Sequence, residues 1–150
     1  ARFRREWNRE RVVLVGYSRG ADVLPFLVNR LSDADRQSID LIALLGPAQN
    51  TDFEIHWGDY LGAASSKNPL SVPPEIMKLK GMPLLVLYGA DDQDSCGAAL
   101  SRELGDIRAL PGGHHFDRDY SQLLQPLLKA VEKRERDPAS TQVPKISPQP

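Results

Sequence analysis

The sequence predicts an α/β fold: a mostly parallel sheet flanked by helices. Three observations carry that expectation. Short aliphatic runs recur at 12–16, 39–45 and 82–88, with a further short strand at 106–110, and continuous runs of this kind suit strands buried on both faces of a parallel sheet. Stretches with helical spacing alternate with them, which points to βαβ units. Glycines stand at the ends of three of the runs, at Gly16, Gly46 and Gly89, where a strand must turn sharply.

In chain order, residues 2–9 read as the end of a helix, with Phe3 and Trp7 on one face. Residues 12–16 form the first strand. A helix over 19–31 follows, with Val23, Phe26, Leu27 and Leu31 at helical spacing and Pro25 expected to bend it. Residues 32–38 read as a polar connection and 39–45 as the second strand. Residues 52–60 alternate in part, and 62–74, rich in Ser, Pro, Gly and Ala, read as a long loop. The third strand (82–88), a helix (95–104), the fourth strand (106–110) and a last amphipathic helix (119–135) complete the domain. Pro126 is a candidate break in that last helix. With only four strands, an exposed sheet edge is expected.

The organisation expected is one domain over residues 1–136 and a disordered tail over 137–150. The tail holds prolines at 138, 144, 148 and 150 and little apolar material to offset its ordering entropy. The chain opens on Ala rather than Met, just ahead of the first strand, so the domain is expected to be N-terminally incomplete.

Composition narrows the function. The 150 residues are 41% hydrophobic and 26% charged with a formal net charge of -1, which argues against a nucleic-acid-binding surface. No apolar run approaches the length of a membrane span. The single cysteine, Cys96, excludes an internal disulfide and a cysteine-rich zinc site. It reads as a small buried residue rather than a nucleophile.

The most informative segment is Gly16-Tyr17-Ser18-Arg19-Gly20, which matches G-x-S-x-G. With glycine near 7% of residues, chance produces such a match about once in twenty chains of this length. The context makes it specific, because a strand ends at Gly16 and a helix starts at once, the setting of a nucleophile elbow in an α/β-hydrolase. Small residues are expected at both glycines for steric reasons, and the turn would lift the Ser18 hydroxyl above the sheet. The Arg19 amide, at a helix N-terminus, would face a developing oxyanion.

A serine nucleophile needs a base, and the base an orienting acid, in the chain order Ser, Asp or Glu, His. The third strand runs into Asp91-Asp92-Gln93-Asp94. Asp92 is the first choice for the acid, Asp94 the alternative and Asp91 the third; Asp94 also suits a helix cap for 95–104. After the fourth strand comes Gly112-Gly113-His114-His115. His114 is the expected base and His115 the alternative, its ring expected to face away from its neighbour. Vicinal histidines with no Cys or carboxylate spacing around them do not suggest a metal site, and no cofactor is implied. His56 reads as structural or as part of a substrate-facing loop.

These motifs resemble, in order, those of the bacterial virulence protein family that includes VirJ and AcvB. The similarity spans about residues 3–135 and rests on Gly20-Ala21-Asp22-Val23-Leu24-Pro25-Phe26, Leu44-Leu45-Gly46, Phe53-Glu54-Ile55, Asp94-Ser95 and Gly113-His114-His115-Phe116-Asp117. The resemblance implies an α/β-hydrolase domain, of which this chain would be the C-terminal part, in the periplasm. AcvB-type members are associated with hydrolysis of aminoacylated phosphatidylglycerol, such as the lysyl ester, and VirJ-type members with type IV secretion. It therefore implies a serine esterase acting on a small-molecule or lipid-headgroup ester, or alternatively a non-catalytic module that binds secretion-system proteins. Ser18 matches the nucleophile, Asp92 or Asp94 the acid and His114 the base. Arg19 departs from the aromatic residue expected after the serine and makes the mouth of the site more cationic. The upstream loop that supplies a second oxyanion donor is expected to lie outside this chain.

Overall fold

A computed structural model describes residues 6, 11–52 and 69–136. The readings for residues 2–9 (apart from Glu6, which is helical), 53–60, 62–68 and the 137–150 tail lie outside the described residues, as do His56 and the Phe53-Glu54-Ile55 motif.

Four parallel strands form the sheet: β1 (Val12–Tyr17), β2 (Ile39–Leu45), β5 (Leu84–Gly89) and β6 (Asp106–Leu110), in the order β1-β2-β5-β6. A second, two-residue ladder pairs β3 (Asn50–Thr51) antiparallel with β4 (Leu70–Ser71). The helices are α1 (Arg19–Asn29), α2 (Asp33–Gln37), α3 (Pro73–Met77) and α4 (Ser121–Arg136). All four sheet strands thus end at the same edge, where an open α/β sheet carries its ligands.

The two sheet faces carry separate cores. On one, Ile42, Leu44, Leu84 and Val86 pack with Ala21, Phe26 and Val28 of α1, with Ile76 of α3, and with Val72, Leu79, Met82 and Leu104. On the other, Leu41, Ala43, Leu45, Leu85 and Leu87 pack with Phe116 and with Leu123 of α4. β2 is central and buried on both faces, as its unbroken apolar run predicts.

β1 departs from that expectation. Register pairs Val13, Val15 and Tyr17 with Leu41, Ala43 and Leu45, so they share the second face, yet Val13 is 38% and Val15 49% exposed. The reason is geometric: α4 packs chiefly over β2 and β5. A β-branched run reports strand propensity, not how many faces are covered.

Other departures have local causes. The connection at 32–38 contains α2, which Ser32 caps by accepting a hydrogen bond from the Asp35 amide at 3.2 Å. Part of the predicted 62–74 loop instead forms β4 and the first turn of α3, whose opening prolines suit a helix start. The expected helix over 95–104 is two 3-10 turns, Gly97–Ala99 and Arg102–Leu104, separated by extended Leu100 and Ser101. Ser101 caps the second turn through the Glu103 amide, a local bond that competes with a continuous helix. Neither proline breaks its helix. α1 runs through Pro25 and α4 through Pro126; Pro25 is fully buried, so packing offsets its lost hydrogen bond.

Candidate active site

The site is assembled from the turns that follow the four parallel strands. After β1, Ser18 adopts φ 52° and ψ -123°, a strained conformation for a residue with a side chain. Its amide bonds to the Leu45 carbonyl at 2.9 Å, and its carbonyl accepts from the Ala21 and Asp22 amides at 2.8 and 3.2 Å. The chain is thus pinned on both sides of the serine. Gly16 is required by close approach, since a Cβ there would lie 2.4 Å from the Gly20 carbonyl oxygen. The expectation for Gly20 itself is not met: a Cβ at that position meets nothing within 4 Å. The constraint on the elbow comes from the Gly20 backbone pressing on Gly16, not from crowding at Gly20.

From this turn Ser18 Oγ lies 2.8 Å from His114 Nε2, and His114 Nδ1 lies 2.9 Å from Asp92 Oδ2. A carboxylate can only accept, so the Nδ1 proton belongs to this second bond and Nε2 is left to accept the Ser18 proton. The imidazole is one-third exposed and the Asp92 side chain 5% exposed. One end of the chain of bonds is open to a substrate and the other is shielded from water. Arg19 opens α1, where backbone N–H groups have no acceptor within the helix.

The alternatives lie elsewhere. Asp94 is exposed; its amide donates to Asp92 Oδ1 at 3.2 Å, and with no α-helix over 95–104 it caps none. Asp91 is exposed and donates its amide to the Gly112 carbonyl. His115 bonds through Nδ1 to the Tyr17 hydroxyl at 2.8 Å. Its ring does not face away from His114 but meets it edge-on, with centroids 5.1 Å apart and an interplanar angle of 74°. Cys96 is fully buried, and burial first, then the charge of Asp22, pushes its thiol up to about 12, an inert group. Among the described residues, no cluster of His, Cys, Asp or Glu is arranged to hold a metal ion.

The model of the bacterial virulence protein family VirJ matches residues 1–135. The chain belongs to that family. No curated protein matches the chain. The family match makes this a virulence-associated protein with an α/β fold. No helix among the described residues is long and apolar enough to cross a membrane.

Sequence reasoning missed three neighbours of the site. Tyr17 stacks against the His114 ring at 6.3 Å and meets Tyr120 edge-on at 6.1 Å. Burial, then the Tyr120 hydroxyl, pushes the Tyr17 phenol up to about 12, so it stays protonated across the physiological range. Asp22 is buried on α1, and its Oδ1 accepts from the Ala48 amide at 2.7 Å. Its signal was available: an aspartate on the same helical stripe as Pro25 and Phe26 is a charge on the core side.

Proposed function

We propose that the protein is a serine esterase with Ser18 as nucleophile, His114 as base and Asp92 as the acid that orients it. The observation that carries this reading is the unbroken pair of hydrogen bonds from Ser18 through His114 to Asp92. Ser18 Oγ attacks the ester carbonyl while its proton passes to His114 Nε2. The Nδ1–H bond to Asp92 holds the tautomer and stabilises the imidazolium. The Arg19 amide donates to the oxyanion. Collapse expels the alcohol, which takes the proton from Nε2. Water then attacks the acyl-serine, giving its proton to His114, and Ser18 leaves with it.

The substrate we propose is an aminoacyl ester of phosphatidylglycerol, hydrolysed in the periplasm. This rests on the resemblance to AcvB-type members. The test is hydrolysis of lysyl-phosphatidylglycerol in vesicles by the purified protein, with His114→Gln and Asp92→Asn beside it. Free lysine should appear with the wild type, and kcat should fall about 10⁴-fold in Asp92→Asn and about 10⁶-fold in His114→Gln. Hydrolysis of simple esters without release of lysine would remove the substrate and keep the chemistry. Equal rates in wild type and His114→Gln would remove the chemistry.

A further inference from the structure

A second carboxylate stands behind the site. Asp22 is buried at the start of α1 and is held at both ends. Its amide donates to the Ser18 carbonyl at 3.2 Å, and its Oδ1 accepts from the Ala48 amide at 2.7 Å. Ala48 belongs to the turn that leaves β2. That turn touches every other part of the site. The Gly46 amide donates to the Leu87 carbonyl at 2.7 Å, and Gly46 sits at φ +67°. A Cβ on Gly46 would lie 3.5 Å from His114 Cε1 and 3.6 Å from Nδ1, so the imidazole rests against this turn. The same turn is zipped to the segment carrying the acid: the Pro47 carbonyl accepts from the Cys96 amide and the Ser95 hydroxyl, both at 3.0 Å, and the Gln49 amide donates to the Asp94 carbonyl at 2.9 Å.

We propose that Asp22 is a positioning residue: its carboxylate fixes the Gly46–Ala48 turn to the helix of Ser18, and so sets the floor on which the His114 imidazole sits. The catalytic consequence rests on the serine-esterase reading; the structural one does not. A loose turn would let His114 drift from both Ser18 and Asp92, since its one-third-exposed ring rests against Gly46 of that turn. The placement carries an electrostatic strain consistent with a functional role. Burial raises the Asp22 pKa; the Ala48 amide, His114 and Arg19 oppose the rise, while Asp92 adds to it, and Cys96 on the far side feels the Asp22 charge.

The test compares Asp22→Ala and Asp22→Asn in the full chain. Asn keeps an oxygen that can accept from the Ala48 amide, and Ala does not. Two readouts are taken: the rate of covalent labelling by a fluorophosphonate, and the NMR signal of the His114 Cε1–H. Asp22→Ala should slow labelling about tenfold or more, as sub-ångström misplacement of a base does, and should shift the His114 signal. Asp22→Asn should return both close to wild type. If Asp22→Ala does not fold, Asp22→Ser, whose hydroxyl is too short to reach Ala48, replaces it with the same expectation. A wild-type His114 signal in Asp22→Ala, or in Asp22→Ser, overturns the proposal, and so does an Asn variant as slow as the Ala variant. If wild-type Ser18 is never labelled, the esterase reading fails, and the His114 signal alone decides the role of Asp22.

Discussion

Two turns at the C-terminal edge of the sheet hold Ser18 and His114, and they bear strain differently. The turn after β1 concentrates it on one residue, Ser18 at φ 52°, and makes room for the bend with a glycine at position 16. The turn after His114 spreads it over three consecutive residues with side chains, Phe116, Asp117 and Arg118, at φ 50°, 52° and 63°. No glycine stands among them, although Gly112, at φ 91°, makes room for Asp117: a Cβ there would lie 2.7 Å from the Asp117 carboxyl carbon. Left-handed backbone costs on the order of 1–3 kcal/mol per such residue, so something must hold the second turn in shape. Phe116 helps to do so: it is fully buried among residues of β2, β5 and α4, and its amide donates to the Gly113 carbonyl at 2.9 Å. The first turn is shaped by backbone sterics, the second by an aromatic anchor together with the room that Gly112 leaves. The same end, a fixed side chain above the sheet, is reached by two physical routes.

The comparison can be broken most forcefully at the anchor. Phe116→Ala should destabilise the fold by about 3–5 kcal/mol, read by urea denaturation, and should slow Ser18 labelling because His114 loses its support. A loss below about 1 kcal/mol would mean that the turn holds its shape without the anchor. Gly16→Ala attacks the other route. Its Cβ would fall 2.4 Å from the Gly20 carbonyl oxygen, and forcing backbone apart at that distance should cost about 1–3 kcal/mol. The larger effect there should be on labelling, since the shift falls on the Ser18 turn itself.

Smaller effects sharpen the contrast. Arg118→Gly relieves a left-handed residue that is exposed, and should stabilise the protein by about 0.5–1 kcal/mol in thermal or chemical denaturation. If Phe116 sets the shape of the turn, labelling stays within about twofold of wild type in this variant. Asp22→Asn concerns the link between the turns. Because burial raises the Asp22 pKa in the folded chain, its contribution to stability is present below its unfolded value of 3.8 and is lost as pH rises through the raised folded value. The Asn variant should therefore melt above wild type at neutral pH, with the gain vanishing below pH 3.8. A gain that persists in acid would trace to packing instead of charge.

How much of this the sequence disclosed follows from the same contrast. The Ser18 turn was legible because glycine marks it, in a five-residue frame between a strand and a helix. The bounds of β2 were legible because its aliphatic run is interrupted on both sides. Asp92 and His114 could be named from their places after β5 and β6, but the choice over Asp94 and His115 needed the distances. The left-handed turn at 116–118 carries no glycine and left no signal. Its cause is the burial of Phe116, a tertiary fact. The open row Val13–Val15–Tyr17 was illegible for a similar reason, because strand composition does not say which strand a helix will cover. The two 3-10 turns at 97–104 were read as a helix because their spacing is helical, while the local cap of Ser101 is what divides them.

The central claim is that Ser18 is a nucleophile activated by His114. The most direct measurement is fluorophosphonate labelling followed by peptide mass mapping, across pH, for wild type, Ser18→Ala and His114→Gln. The account predicts a single adduct on the peptide bearing Ser18, absent from Ser18→Ala and slowed on the order of 10³-fold or more in His114→Gln. An adduct that persists in Ser18→Ala, or a labelling rate indifferent to His114, would contradict it.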